Sequence, residues 1–203
     1  MNVCRSLILA SCVALLAGCG STSNAPKPGP LPAVQAKLQL QDVWRQSLGA
    51  ATGARLQPAL QGDAIAAISA DKRLVLLDAE SGKERWQLTL PNPAAGGVGL
   101  GRDLVVVGTL EGEILAYGRD AKLRWSARSG SAVAAPPVVT DSTVLVRGTD
   151  GRLTGYAVTD GTVKWVYSRQ QPALLLRNFA APAVDGDVVY YGQAGGRLAA
   201  LTL

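Results

Sequence analysis

The chain has 203 residues, 48% of them hydrophobic and 17% charged, a balance that fits a folded globular body rather than a disordered one. Its formal net charge of +5 is spread over single residues, with no run of about five or six Lys or Arg. A phosphate-tracking surface is thereby excluded, and nucleic acid is not an expected partner. Histidine is absent, and Cys4, Cys12 and Cys19 all fall within the first 20 residues, so the body has no hydrolytic triad, disulfide or thiolate metal site.

The N-terminus comes first in chain order. Arg5 gives a positive start, and residues 7–16 are an uncharged apolar run that ends at the small residues Ala17 and Gly18. This pattern predicts a signal peptide over 1–18, because the run is far short of the roughly 20 apolar residues needed to span a bilayer. Without Arg5 the basic residues number 19 against 15 acidic, a net charge of +4. The tetrad Leu16-Ala17-Gly18-Cys19 resembles the lipobox of bacterial lipoproteins. That resemblance implies an acylated Cys19 as the mature first residue, held in the membrane by several acyl chains. Gly20 follows, where an Asp would resemble the inner-membrane retention signal, so the same resemblance implies the outer membrane. Residues 19–40 are rich in Ser, Pro and Gly, with Pro26, Pro28, Pro30 and Pro32 alternating, and are predicted to be an extended tether.

Residues 41–203 carry a repeat. Trp44, Trp86, Trp125 and Trp165 stand at intervals of 42, 39 and 40 residues. Four short segments align with them: Arg73-Leu74-Val75-Leu76-Leu77, Glu113-Ile114-Leu115-Ala116-Tyr117, Arg152-Leu153-Thr154-Gly155-Tyr156 and Arg197-Leu198-Ala199-Ala200-Leu201. Each follows a β-rich run, at 64–69, 104–108, 144–148 and 188–192, across a short turn, which predicts a hairpin. Pro58-Ala59-Leu60, Pro137-Val138-Val139 and Pro182-Ala183-Val184 predict one more strand ahead of three of these hairpins. The fourth strand of each unit is expected to carry the tryptophan. Four strands in about 40 residues is the pattern of a β-propeller blade, so the fold expected is all-β, with a β-sandwich as the alternative. Propellers of this period close with about seven or eight blades, and only four units are visible, so an incomplete ring is expected.

The segments 78–86 and 158–165 resemble the tryptophan-docking motif of quinoprotein-type propellers, in which the indole docks on the neighbouring blade. Trp44, Trp86, Trp125 and Trp165 are therefore expected to be structural. Gly118-Arg119-Asp120-Ala121 lacks the turn glycine at its usual place. The run Gly96-Gly97-Val98-Gly99-Leu100-Gly101 looks like a dinucleotide fingerprint, but a strand-like Leu104-Val105-Val106-Val107 follows it where a helix is required.

One connection breaks the period. From each tryptophan to the next aligned aliphatic the distances are 30, 28, 28 and then 33 residues, which places an insertion of about five residues within 168–181. The inserted stretch holds Ala173-Leu174-Leu175-Leu176-Arg177-Asn178, apolar where a surface loop is ordinarily polar. Composition alone leaves two readings open, an exposed protein-binding anchor and leucines packed over the propeller end.

Taken together, the lipobox, the tether, the repeats and Leu174-Leu175-Leu176-Arg177 resemble the BamB family, propeller lipoproteins of the outer-membrane β-barrel assembly (BAM) machinery, over the N-terminal half of that family's propeller. The resemblance implies a non-enzymatic scaffold without cofactor or metal. It further implies that Leu174, Leu176 and Arg177 contact a periplasmic POTRA domain of the barrel subunit, BamA, with unfolded outer-membrane protein clients as a further class of partner. Two alternatives come from other classes: an envelope propeller that binds glycan or peptidoglycan, and a fragment of a quinone-dependent dehydrogenase. The dehydrogenases use a calcium, a catalytic Asp and often a vicinal disulfide. This body has no cysteine, and Asp63, Asp103, Asp141 and Asp187 read as turn formers.

Overall fold

The computed structural model describes residues 29, 40–50, 56–133, 135–169 and 180–203. The chain divides into a unit Met1–Gln41 and a unit Asp42–Leu203, and the strands among the described residues lie in the second. Cys19, the expected signal peptide and nearly all of the expected tether lie outside the described residues, as do Leu174, Leu176 and Arg177.

Among the described residues the chain forms four antiparallel sheets in sequence order. The first comprises β1 (Ala59–Gln61), β2 (Ala64–Ile68), β3 (Arg73–Asp78) and β4 (Glu84–Thr89). The second comprises β5 (Ala94–Leu100), β6 (Leu104–Thr109), β7 (Glu113–Gly118) and β8 (Leu123–Arg128). The third comprises β9 (Val138–Val139), β10 (Thr143–Arg147), β11 (Leu153–Ala157) and β12 (Val163–Tyr167). The fourth has three strands, β13 (Ala183–Asp185), β14 (Val188–Gln193) and β15 (Arg197–Thr202). Each sheet is an up-and-down meander whose strands pair only with their sequence neighbours, which is the build of a propeller blade and not of a Greek-key sandwich.

The blades adhere through alternating side chains. On β6, Val105 and Val107 join the core shared with the first blade, while Leu104 and Val106 join the core shared with the third. On β10, Val144 and Val146 face back to the second blade, and Leu145 joins Val189 and Tyr191 of the fourth. Side chains alternate across a strand, so a strand buried on both faces must be apolar throughout. That requirement explains the unbroken run Leu104-Val105-Val106-Val107.

Two expectations need correction. Residues 94–100, whose glycines lower strand propensity, form β5, the longest strand among the described residues; their glycines are a packing requirement and no helix follows them. A Cβ on Gly99 would lie 2.9 Å from the Pro137 carbonyl carbon, and one on Gly96 would lie 2.6 Å from that of Ala135. The inner strand of the second blade thus runs against the chain entering the third more closely than any side chain allows. The second correction concerns Trp44. Trp86, Trp125 and Trp165 sit on β4, β8 and β12, but Trp44 lies in 40–50, which carries no strand.

Candidate functional site

The indoles link one blade to the next. Trp86 Nε1 donates to the carbonyl of Arg119, at 2.8 Å, and Trp125 Nε1 to that of Val158, also at 2.8 Å. Trp44 Nε1 makes the equivalent bond to Ala79 at 3.0 Å. In every case the acceptor is the residue that follows the third strand of a blade. Trp165 departs from the series. Its buried Nε1 has no hydrogen-bond partner among the described residues, and the position equivalent to Ala79, Arg119 and Val158 is Leu203.

Next to each strand-borne tryptophan the ladder slips by one residue. Leu76 faces Trp86 while Leu77 faces Glu84, Ala116 faces Trp125 while Tyr117 faces Leu123, and Gly155 faces Trp165 while Tyr156 faces Val163. The unpaired residue is Arg85, Arg124 and Lys164 in turn, so a β-bulge in each complete blade re-aims a basic side chain. Arg85 Nη2 donates to the Asp63 carboxylate and to the Asp78 carboxylate, both at 2.7 Å; Arg124 reaches Asp120 at 2.9 Å; Lys164 reaches Thr143 Oγ1 at 2.8 Å. The hydrogen bonds from Arg85 hold both Asp63 and Asp78 below the usual carboxylate range. Sequence reasoning missed this pin, although the basic-Trp dipeptide at 85–86, 124–125 and 164–165 signals it.

The aspartates read as turn formers do sit in the connections between strands, and two of them also reach a neighbouring blade. Asp63 lies 3.7 Å from Arg119 Nη1, and Asp141 lies 3.8 Å from Arg102 Nη2. Arg119 further donates to the Gln61 and Gly101 carbonyls, at 3.3 and 2.9 Å. Beside it is an open cavity of about 430 Å³, lined by Asp103, Leu104, Arg119, Asp120, Arg124, Val158 and Thr159. Its charges are mutually compensated and no aromatic ring lines it, so it offers no stacking platform for a sugar. Tyr117, Tyr156 and Tyr191 are buried in blade strands, while Tyr190 is exposed. Among the described residues no three His, Cys, Asp or Glu cluster as metal ligands would, and no helix is long and apolar enough to cross a membrane.

The junction of the third and fourth blades differs from the other two. The connection from β12 to β13 contains Leu174, Leu176 and Arg177, all outside the described residues, and its described ends are 168–169 and 180–182. Under the C-terminal end lies Arg147, only 4% exposed, whose Nη1 donates to the Ala180 carbonyl at 2.9 Å. Its guanidinium carbon stands 4.6 Å from the centre of the Tyr191 ring, within cation–π range. Tyr191 donates its hydroxyl to the Gly151 carbonyl at 2.7 Å and meets Tyr167 edge-to-face, with ring centres 6.1 Å apart. Gln193 Nε2 donates to the Tyr167 hydroxyl at 2.8 Å. Burial lowers the Arg147 pKa and raises that of Tyr191. This arrangement ties the start of β13 to the third blade through charge and ring packing.

Comparison with known proteins agrees with this architecture. A family model described as outer membrane protein assembly factor BamB matches residues 37–96 and 91–203. The outer membrane protein assembly factor BamB of Burkholderia pseudomallei is 33% identical over 196 residues, which is 96% of this chain and 51% of that protein. The crystal structure of BamB from Moraxella catarrhalis superposes with a TM-score of 0.66 at 28% identity, over 75% of this chain and 46% of that one. A europium-containing methanol dehydrogenase, 22% identical with a TM-score of 0.54 over 64% of this chain and 27% of that one, shares the fold alone. The chain spans about half the length of the curated relatives it matches. With the family model covering 37–203, the repeats in register and the tryptophans linking successive blades, the chain belongs to the outer membrane protein assembly factor BamB family.

Proposed function

We propose that the protein is a non-enzymatic scaffold lipoprotein of the outer-membrane β-barrel assembly machinery. Acylated Cys19 anchors it to the periplasmic face of the outer membrane, and the connection between β12 and β13 binds a POTRA domain of the barrel subunit, BamA. The supporting observation is the spacing. In a repeat that holds 28 to 30 residues from tryptophan to aliphatic, this connection alone takes 33, and the surplus falls in an apolar-basic stretch. An apolar stretch in a connection that is ordinarily polar, next to an Arg, the residue type enriched at interface hot spots, suits a protein-binding segment. The blades contribute rigidity, because three cores between blades and a series of indole bonds fix the strands that the connection joins. For the dehydrogenase alternative only the shared fold speaks, and fold does not carry activity.

A photo-crosslinking residue placed at Leu176 of the full-length protein tests this in cells. Crosslinks to BamA from position 176, and none from the exposed Leu110 on the second blade, are the expected result. Equal capture from both positions refutes a specific interface. A Cys19→Ser variant should lose incorporation of labelled palmitate; undiminished labelling would refute the lipid anchor.

A further inference from the structure

A meander sorts its residues to two ends. In each blade the connections from first to second strand and from third to fourth lie at one end, while the second-to-third connection and the crossing to the next blade lie at the other. Charges that are scattered singly along the sequence are thereby gathered in space. In the first two blades the crossing end is balanced, with Lys72, Arg73 and Arg128 against Asp71, Glu111 and Glu113. In the third and fourth blades it is not. Among the described residues their crossing end holds Arg147, Arg152, Arg169 and Arg197 against Asp150, while their opposite end holds Asp141, Asp160, Asp185 and Asp187 against Lys164. This half of the fold is polarised, basic at one end and acidic at the other.

Arg147 is buried and bonded to the Ala180 carbonyl, so it does not face solvent. Arg152, Arg169 and Arg197 are exposed, and among the described residues only Arg152 has a carboxylate beside it, Asp150 at 3.5 Å. The described ends of the β12–β13 connection, 168–169 and 180–182, lie at this same end. Like charges gathered on one surface repel one another, and a partner of opposite sign relieves that cost and is drawn in faster. The planar guanidinium fork matches a carboxylate. An anionic membrane is read by clusters of about four to eight basic residues, which three exposed arginines around an aspartate do not supply.

We infer that the crossing end of the third and fourth blades is a docking surface for an acidic protein surface, with Arg152, Arg169 and Arg197 meeting its carboxylates. The identity of that partner as BamA rests on the proposed function; the acidic character of the surface it presents rests on these arginines.

The test uses the full-length protein with Arg152→Glu/Arg197→Glu, the milder Arg152→Gln/Arg197→Gln, and Lys83→Glu/Lys122→Glu, which makes the same change in net charge at the opposite end of the first two blades. Circular dichroism establishes equal folding, and association with the purified BamA periplasmic domains is followed at low and high salt. Charge reversal at Arg152 and Arg197 should slow association by about tenfold at low salt, an effect that shrinks as salt rises, with the Gln variant between it and wild type. The lysine control should stay within about twofold of wild type. Equal slowing in the control, or none in the arginine variants, would overturn the inference. So would an unchanged BamA association accompanied by loss of binding to phosphatidylglycerol vesicles, which would make the surface a reader of membrane.

A Leu174→Ala/Leu176→Ala/Arg177→Ala variant measured in parallel separates the two ideas. If it binds like wild type while charge reversal slows association, the reading of the connection fails and the docking surface stands. If wild type does not bind BamA at all, the proposed function fails, and a polyglutamate peptide titrated against the protein and followed by NMR decides the inference. Shifts confined to 148–152 and 193–197 would support it; shifts spread over both ends, or none, would overturn it.

Discussion

Gly161 is where the tryptophan link is most sensitive to a single methyl group. It sits in the turn between β11 and β12 at φ +73°, and a Cβ there would lie 2.7 Å from Trp125 Cδ2, closer than atoms tolerate. Gly161→Ala therefore adds two costs. The left-handed backbone costs an L-residue about 1–2 kcal/mol. Displacing an indole that is packed at 7% exposure and bonded to Val158 adds an overpacking cost of about 1–3 kcal/mol. The total expected is about 2–5 kcal/mol. Gly62→Ala supplies the control, because Gly62 has a similar φ of +61° and a Cβ there meets nothing within 4 Å, so only the strain remains. The second blade supplies the reverse experiment. Its turn is one residue shorter and puts Ala121 at φ +65°, so Ala121→Gly should stabilise by about 0.5–1 kcal/mol. Urea titrations of the full-length protein, followed by circular dichroism and tryptophan fluorescence, give the midpoints. If Gly161→Ala costs no more than Gly62→Ala, or costs as much in a Trp125→Leu background as in wild type, then the indole and the turn are not packed as described and the reasoning fails.

Further predictions follow from the same geometry. Trp125→Phe removes the bond to Val158 and should cost about 2 kcal/mol, from a lost hydrogen bond and an unpaired carbonyl, with intrinsic fluorescence reporting the shift in midpoint. Gly99→Ala pushes a methyl group into the Pro137 carbonyl and should destabilise by more than Gly62→Ala in the same titrations. Asp63 and Asp78 have pKa values lowered by Arg85, so their contribution is present above the unfolded carboxylate pKa of about 3.9 and is lost as pH falls through the lower folded values. Melting temperature should accordingly drop less between pH 5 and pH 2 in an Asp63→Asn/Asp78→Asn variant than in wild type; an identical acid limb in both would refute the Arg85 pairing.

How much of this was legible in the sequence depended on the range of the interaction. The hairpins at β2–β3, β6–β7, β10–β11 and β14–β15 were legible because strand alternation and turn residues are local signals, and the tryptophan period then gave the blade. The strand β5 was hidden because its Gly96, Gly97 and Gly99 lower strand propensity, and what they accommodate, Ala135 and Pro137 for Gly96 and Gly99 and the Gln57 backbone for Gly97, lies about 40 residues away on either side. The roles of Asp63 and Asp141 were half legible. A turn announces itself locally, but Arg85 is brought to Asp63 by strand pairing within the first blade, and Arg119 and Arg102 reach their aspartates only through the packing of neighbouring blades. Trp44 reads like its repeats, and its indole makes the same bond, but a strand also requires a neighbouring ladder, which 40–50 does not have among the described residues. The extended connection was visible as a count, 33 residues against 28 to 30. Arg147 beneath it was not, because a lone arginine at a strand end gives no sign of burial until the fourth blade is placed over it.

The most direct measurement is a calorimetric titration of the full-length, lipid-free protein into the purified periplasmic domains of BamA. Wild type is compared with Leu174→Ala/Leu176→Ala/Arg177→Ala after circular dichroism has established equal folding. Saturable binding by wild type, with affinity lost in the triple variant, is the expected result. Equal binding by both would return the leucines to packing over the propeller, and no binding by either would contradict a role in barrel assembly through this subunit.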